Sequence, residues 1–362
     1  MSQICIVQNS LKTTWLFRAG YIEKAIKERK LSVVILAPND CKNSKESLLA
    51  LGADVKAIPF KLGLIGMLSS FLLINLYILR IRATTKDSKY ICHFVSTYIL
   101  TFLSLPNKAN TTVYIEGLGS FANKSGFISK ALSFALNFGR KNILCCNHSE
   151  VNTLALKRAF VTGGIGIDVE HFNRKALIKS CDEVTLLFVG RLISDKGILD
   201  AIEVYRRLNN NKVRFLVVGD IYPNNPTSLT SEDLATVRSE FQDKVSFVGY
   251  KHNMNDIYSK SDVLILPSKR EGFPVCVMEA SASGIPSIVY NVPGCQDAVK
   301  NDVNGFVVDY SDIDSMVGKV NQLIEEPGLL NKIKLSSVEY ATTHFSRKLK
   351  DEKILEIIVN SN

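Results

Sequence analysis

The sequence predicts an α/β chain folded as two doubly wound parallel-sheet domains, and three observations carry that reading. Short apolar runs bounded by turn residues recur along the whole 362 residues, with helical stretches between most of them, the alternation that builds parallel sheets. A glycine-rich stretch from Val161 to Phe172, with Gly163, Gly164 and Gly166, divides the runs into two sets. The length suits two cores, and a composition of 46% hydrophobic and 22% charged residues argues against disorder.

The first domain is read over residues 1–162. Ile4-Cys5-Ile6-Val7 is its first strand, Gln8 to Thr14 a polar loop, Leu16 to Arg29 a helix, and Val33 to Pro38 the second strand. Residues 53–59 and 90–95 and Thr112 to Ile115 read as further strands, and Asn142 to Cys146 closes the sheet. Leu62 to Leu79 carries no formal charge and is flanked by Lys61, Arg80 and Arg82. It is long enough to span a bilayer. A span there, however, would put parts of one sheet on opposite sides of the membrane. Two readings stay open: an in-plane helix with its basic flank at headgroups, and a buried core helix. Asn123 to Lys141 is likewise either a basic amphipathic surface for a lipid diphosphate and anionic headgroups or a core-packed helix with basic ends. It sets Phe127, Ile128, Leu132, Phe134 and Phe138 beside Lys124, Lys130, Arg140 and Lys141.

The second domain is read over residues 163–344, with strands at Thr185 to Val189, Arg214 to Val218, Val245 to Val248, Val263 to Leu266, Ser287 to Tyr290 and Phe306 to Val308. Residues 345–362 form a last, helical segment.

The net charge of +9 is uneven: residues 1–180 carry +14 and residues 181–362 carry −5. A basic half that also holds the most apolar stretches suits an anionic membrane surface rather than nucleic acid. Eight cysteines show no CxxC and no metal-ligand spacing. With no signal-peptide pattern before the first strand, they fit reduced thiols in the cytosol.

The chain is organised around Pro267 to Pro286. A loop carrying Glu271-Gly272-Phe273-Pro274 follows the strand Val263 to Leu266, and Pro274 suits the first position of a helix. Glu279 lies on the first turns of that helix. The mouth of such a strand–loop–helix unit suits an anion or a row of hydroxyls. A bare pair of acids at this spacing reads as an ordinary helix start. Here Gly284-Ile285-Pro286, Pro293 to Asp297 and Asn304-Gly305-Phe306 follow in order. The whole cassette resembles the donor-binding half of family 4 retaining glycosyltransferases, whose E-x7-E signature is seen as Glu271 to Glu279. The resemblance implies the GT-B fold, two Rossmann-like domains facing a cleft, with the final helix crossing back to the first.

The resemblance also implies roles. Arg191 and Lys196 match the pair that stabilises the leaving diphosphate, Glu279 the acceptor of ribose hydroxyl bonds, and Glu271 the contact to the donor sugar. Backbone N–H groups of Gly272, Phe273 and Val275 assist, while Pro274 has none to give. Tyr250 and Lys251 match the loop that holds the base, and Gly219 lines the site. In the first domain Glu116-Gly117-Leu118-Gly119-Ser120-Phe121 is similar to the subgroup that extends undecaprenyl-diphosphate-linked sugars, as in N-acetylgalactosaminyltransferases of bacterial N-glycan assembly. Glu116 then accepts a hydrogen bond from the acceptor hydroxyl or helps take its proton; a tight structural turn is the alternative. His93 matches the first His of a His-x-His element whose second position is Val95, so a site residue and a core histidine are both open. Asn9-Ser10-Leu11 replaces the family's Gly-Gly turn.

The expected function is transfer of a hexose or N-acetylhexosamine (N-acetylgalactosamine or N-acetylglucosamine) from a UDP-sugar to a polyprenyl-diphosphate-linked saccharide. Such transfers build lipopolysaccharide, O-antigen, capsule or glycan. The enzyme would sit peripherally on the inner face of the cell membrane. No cofactor or metal is expected, since Arg191 and Lys196 supply the positive charge. The rivals are a soluble transferase on a small free acceptor and a non-catalytic sugar-nucleotide-binding protein.

Overall fold

Strands and helices alternate through both halves of the computed structural model, which describes residues 3–60, 63–118, 126–172, 183–208 and 210–360. The first unit, Met1–Ile165 with Arg347–Asn362, opens with β1 (Gln3–Val7), α1 (Leu11–Lys27), β2 (Ser32–Pro38), α2 (Lys42–Ala50) and β3 (Asp54–Ile58). It continues through α3 (Gly63–Thr84), β4 (Ser88–His93), α4 (Val95–Thr101) and β5 (Thr111–Ile115). Then come α5 (Gly126–Asn137), β6 (Asn142–Cys145), α6 (His148–Thr153) and β7 (Ala159–Val161). The sheet is parallel throughout, in the order β3-β2-β1-β4-β5-β6-β7. Its inner strands are near-continuous apolar runs because helices cover both faces. Chain order reverses between β1 and β4, so the loops after these strands open a crevice at the C-terminal edge.

Three features differ from the sequence reading. The helix expected from Leu16 starts at Leu11, inside the expected polar loop. Ser10 caps it by accepting from the Thr13 N–H at 3.1 Å, and Asp40 accepts from the Leu11 N–H at 2.8 Å. β6 does not close the sheet, because the short β7 pairs beyond it. The segment around residues 62–79 is neither a span through the fold nor a wholly buried helix: α3 buries Phe71, Ile74 and Ile78 and leaves Ile65 85% and Leu72 63% exposed. Gly119, Ser120, Phe121, Asn123 and Lys124, and the side chains of Phe127 and Ile128, lie outside the described residues.

The second unit, Gly166–Ser346, holds α7 (Val169–Phe172), β8 (Val184–Val189), α8 (Ile198–Leu208), β9 (Val213–Val218), α9 (Ser231–Phe241) and β10 (Val245–Phe247). After these come α10 (Asn255–Tyr258), β11 (Val263–Leu266), α11 (Val275–Ala282), β12 (Ser287–Tyr290), α12 (Cys295–Ala298), β13 (Gly305–Val308), α13 (Ile313–Glu325) and α14 (Pro327–His344). The order β10-β9-β8-β11-β12-β13, again all parallel, repeats the arrangement of the first sheet. Its reversal falls between β8 and β11.

The last helix, α15 (Arg347–Val359), belongs to the first unit. It lies on α1 through Lys24–Glu352 at 2.7 Å, and Lys350 donates to the carbonyls of Thr162 and Gly163 at 2.5 and 2.6 Å. Gly20 leaves the room that the Asp351 carboxyl fills: a β carbon there would stand 2.0 Å from Oδ2. Burial pushes the Asp351 carboxyl up to about 7, against the pull of Arg347, Arg18 and Lys24. A carboxyl raised in the fold lends stability that is full below its unfolded value of about 3.9 and is lost as pH climbs through about 7. Asp351→Asn cannot ionise, so wild type should lose stability relative to it between pH 5 and pH 7.5. Urea titrations of both proteins at the two pH values measure this, and a difference independent of pH would refute the assignment.

Candidate active site

The site residues predicted in the second unit lie after the C-terminal ends of its strands, most of them around the reversal between β8 and β11. Arg191 follows β8, exposed, with its guanidinium 5.3 Å from the centre of the Tyr222 ring. Lys196 ends a 3₁₀ turn, Ser194–Lys196, and reaches Glu271 Oε1 at 2.5 Å. Gly219 follows β9, and Tyr250 and Lys251 follow β10. Tyr250 is 64% exposed, with its N–H on Asp220 Oδ1 at 3.0 Å. Glu271, Gly272 and Phe273 form the loop after β11. Pro274 is the cap of α11 and not its first residue, which is Val275. The leading N–H groups of α11 have no acceptor within the helix. Glu279, on its second turn, accepts from the Tyr258 hydroxyl at 2.9 Å.

Backbone contact holds these loops in register. Lys269 N–H and the Ser268 hydroxyl both donate to the Asp195 carbonyl at 3.0 Å. Gly197 has φ +77, and a β carbon there would lie 1.8 Å from the Pro267 carbonyl oxygen. A β carbon on Gly219 would lie 1.9 Å from the Gly190 carbonyl, and one on Gly294 2.4 Å from the Glu271 carbonyl. The segment carrying Lys196 is thereby pressed onto the segment carrying Glu271.

In the first unit, Glu116 and His93 lie at the C-terminal ends of neighbouring strands, β5 and β4. Glu116 Oε2 pairs with Arg18 of α1, and Oε1 meets His93 Nδ1 at 2.7 Å. His93 Nε2 meets the Tyr21 hydroxyl at 2.8 Å. Burial raises Glu116, but the Arg18 charge and the hydrogen bonds from His93 and Arg18 outweigh it and hold the carboxyl below its ordinary value. Burial, helped by Arg18, lowers His93 to about 4. The directions of the bonds follow. An ionised Glu116 can only accept, so His93 Nδ1 carries the proton; a neutral His93 then accepts at Nε2, and the Tyr21 hydroxyl donates. Glu150 of α6 holds the next turn: its carboxylate accepts from the N–H groups of Gly117 and Cys146, both at 2.7 Å.

This geometry bears on two residues that the sequence left open. His93 is wholly buried and bonded at both ring nitrogens, so it cannot touch a substrate and reaches the edge only through Glu116. Glu116, 7% exposed and paired with a guanidinium, is a poor base for an acceptor proton. A carboxylate has about four acceptor positions, so it can still orient a hydroxyl. The sequence reading missed Arg18, Tyr21, Glu150, Tyr222 and Tyr258. Arg18 had a signal: it stands on the inward stripe of α1 with Leu11, Thr14, Ile22 and Ala25. A charge at that position requires a buried partner.

Two doubly wound parallel-sheet units, with a charge pair and the N-terminus of α11 at the reversal of the second sheet, define the class of open α/β proteins that bind ligands at this edge. Residues 169–338 match the family model described as glycosyl transferases group 1. The chain has the GT-B fold, and its second unit is similar to the glycosyltransferases of family 4. It is 25% identical over 346 residues to N,N'-diacetylbacillosaminyl-diphospho-undecaprenol alpha-1,3-N-acetylgalactosaminyltransferase of Campylobacter jejuni, covering 85% of this chain and 86% of that one. It is 26% identical over 202 residues to UDP-Gal:alpha-D-GlcNAc-diphosphoundecaprenol alpha-1,3-galactosyltransferase of Escherichia coli, covering 51% of each. Among solved structures, Anabaena HepE in complex with UDP superposes with a TM-score of 0.77 at 14% identity, covering 99% of each chain. The lipopolysaccharide outer core galactosyltransferase WaaB superposes with a TM-score of 0.73 at 15% identity, covering 100% of each. These two are likenesses of fold.

Gly197→Ala should lower the melting temperature and weaken UDP binding together, because the β carbon would push the lysine-bearing turn off the Glu271 loop. Calorimetry with UDP beside a thermal melt measures both, and unchanged values would show that the loops are not held by this contact.

Proposed function

We propose that the protein transfers a hexose or N-acetylhexosamine from a UDP-sugar to a polyprenyl-diphosphate-linked saccharide, with retention, in assembly of a bacterial surface polysaccharide or glycan. N-acetylgalactosamine or N-acetylglucosamine is the best-supported sugar. The observation that carries the reading is the Lys196–Glu271 pair at the reversal of the second sheet, flanked by Arg191 and the N-terminus of α11. The names of the relatives point to the acceptor class.

In this reading Lys196 and Glu271 neutralise each other until donor arrives. The diphosphate takes the ammonium, and Glu271 is released to accept from sugar hydroxyls. Arg191 and Lys196 stabilise the charge that grows on the leaving diphosphate, and no metal is assigned a part. Glu279, braced by Tyr258, accepts from the ribose hydroxyls. Tyr250 and Lys251 border the base. Glu116 orients the acceptor hydroxyl as a hydrogen-bond acceptor, and the departing phosphate oxygen takes the proton.

The same reading places the enzyme on the inner face of the membrane. α3 presents Ile65, Leu68, Leu72, Leu76 and Leu79, three or four apart and all exposed, and Arg80 follows this row. An aliphatic stripe beside basic residues suits an anionic bilayer surface. It also argues against the rival of a soluble transferase on a free sugar.

Two outcomes are expected. A screen of UDP-sugars against polyprenyl-diphosphate-linked acceptors, read by UDP release, should find an active pair. In that assay Arg191→Ala or Lys196→Ala should cut turnover by on the order of a hundredfold, and near-normal rates in both would sink the diphosphate assignment. Co-sedimentation with vesicles containing phosphatidylglycerol should fall as salt screens the charges and fall further in a Leu72→Ser, Leu76→Ser protein. Binding untouched by either change would remove α3 from the membrane contact.

A further inference from the structure

We infer that Arg18 is a positioning residue for sugar transfer: it fixes Glu116 as a permanent hydrogen-bond acceptor at the edge of the first sheet without itself touching substrate. The inference rests on the reading above, in which Glu116 meets the acceptor hydroxyl.

Stability does not explain the pair. Arg18 is 1% exposed, and a buried ion pair is commonly no more stabilising than well-packed apolar residues of the same volume. The guanidinium lies 5.7 Å from the centre of the Tyr114 ring, and its Nε is buried with no hydrogen-bond partner among the described residues. Next to His93 the backbone is strained as well: Phe94 holds φ +69 and ψ 142, a region that side-chain-bearing residues rarely enter. Unsatisfied and strained groups gathered at a sheet's ligand edge mark a site whose geometry is kept at a cost in stability.

The groups around Glu116 leave Arg18 as the cation in charge. On α1 they are Arg18 and Tyr21, on β4 His93, and on β5 Tyr114, whose hydroxyl is committed to Thr162 at 2.7 Å. After β6 and on α6 come Cys146, which burial keeps protonated, and Glu150, which burial raises to about 7 and whose carboxyl oxygens accept from the Gly117 and Cys146 N–H groups. Asp351 of α15 faces Arg18 and not Glu116. Without Arg18, Glu116 would face a neutral imidazole, and the cation that repels a proton from His93 would be gone. A proton would then settle on His93 or on Glu116 itself. In the second case the carboxyl gains an O–H and no longer presents the same acceptor to a hydroxyl.

The test uses the full chain with Arg18→Met and Arg18→Lys, both checked by thermal melting. Nitrogen-15 spectra of labelled histidine, with His93→Gln to assign the resonance among five histidines, follow its titration. In wild type His93 should stay neutral with the proton on Nδ1 at neutral pH, while in Arg18→Met its titration should rise by about one pH unit or more. Arg18→Lys should keep it low. In transfer assays with the pair found by the screen, Arg18→Met should lose about tenfold or more in kcat with KM for the UDP-sugar unchanged, and Arg18→Lys should recover part of the loss. An unmoved titration of the bonded His93–Glu116 pair, read at the His93 ring nitrogens, or transfer within about twofold of wild type in Arg18→Met, would overturn the inference. So would two variants that both fail to fold, since Arg18 would then be structural. If wild type transfers to no lipid-linked acceptor, the acceptor reading fails, and with it Arg18's part in transfer. The titration would still report whether Arg18 sets the state of Glu116.

Discussion

At the C-terminal edge of the second sheet the carbonyl oxygens of Gly190, Pro267 and Glu271 stand where β carbons of Gly219, Gly197 and Gly294 would be. No side chain fits at these three positions, so the loops after β8, β9, β11 and β12 can close on one another only through glycine. That closure sets the chemistry. It brings the turn bearing Lys196 against the loop bearing Glu271 while both residues hang from separate strands. A charge pair whose backbones are held in contact has its two groups placed before any ligand arrives. The helix α11 begins in the same place, so its N–H groups are aimed at the same space as the lysine.

The two sheets share one strand order, yet charge is used differently at their reversals. In the second unit Arg191 is exposed and Lys196 is partly so; these cations can trade their present contacts for a phosphate. In the first unit Arg18 and His93 are buried and Glu116 keeps a small exposed share, and each bond has a direction that the next one fixes. An ionic network so enclosed does not respond to a ligand by gaining or losing charge. It can only hold a geometry, and the Gly117 turn, tied down by Glu150 and lying at φ +92, extends that geometry by one residue.

Much of this was legible in the sequence because it rests on local pattern. The strands of the second sheet are short apolar runs, and all were placed within a residue or so of Val184–Val189, Val213–Val218, Val245–Phe247, Val263–Leu266, Ser287–Tyr290 and Gly305–Val308. The Glu271 to Glu279 cassette was equally plain, since each piece occupies a fixed offset. What escaped depends on partners far along the chain. The start of α1 is secured by Asp40, about thirty positions away. β7 is three residues long, and its Phe160 is exposed, so it carries no buried run to read. Tyr258 braces Glu279 from another helix, and Arg18 finds Glu116 across 98 positions.

α3 shows how far composition alone can mislead. Its residues from Gly63 to Leu79 carry no charge and few polar groups, a pattern that in a soluble domain means burial all round and in a bilayer means a span. The fold permits neither. β3 and β4 sit in one sheet with α3 as their crossover, so the helix cannot leave the layer it covers. Phe71, Ile74 and Ile78 are consumed by that duty, and the stripe from Ile65 to Leu79 is left over. Natural surfaces seldom carry such a stripe without a use. Topology therefore turns a hydrophobic segment into a one-sided surface, and the proposed membrane contact rests on that surface and on the basic excess of the first half of the chain.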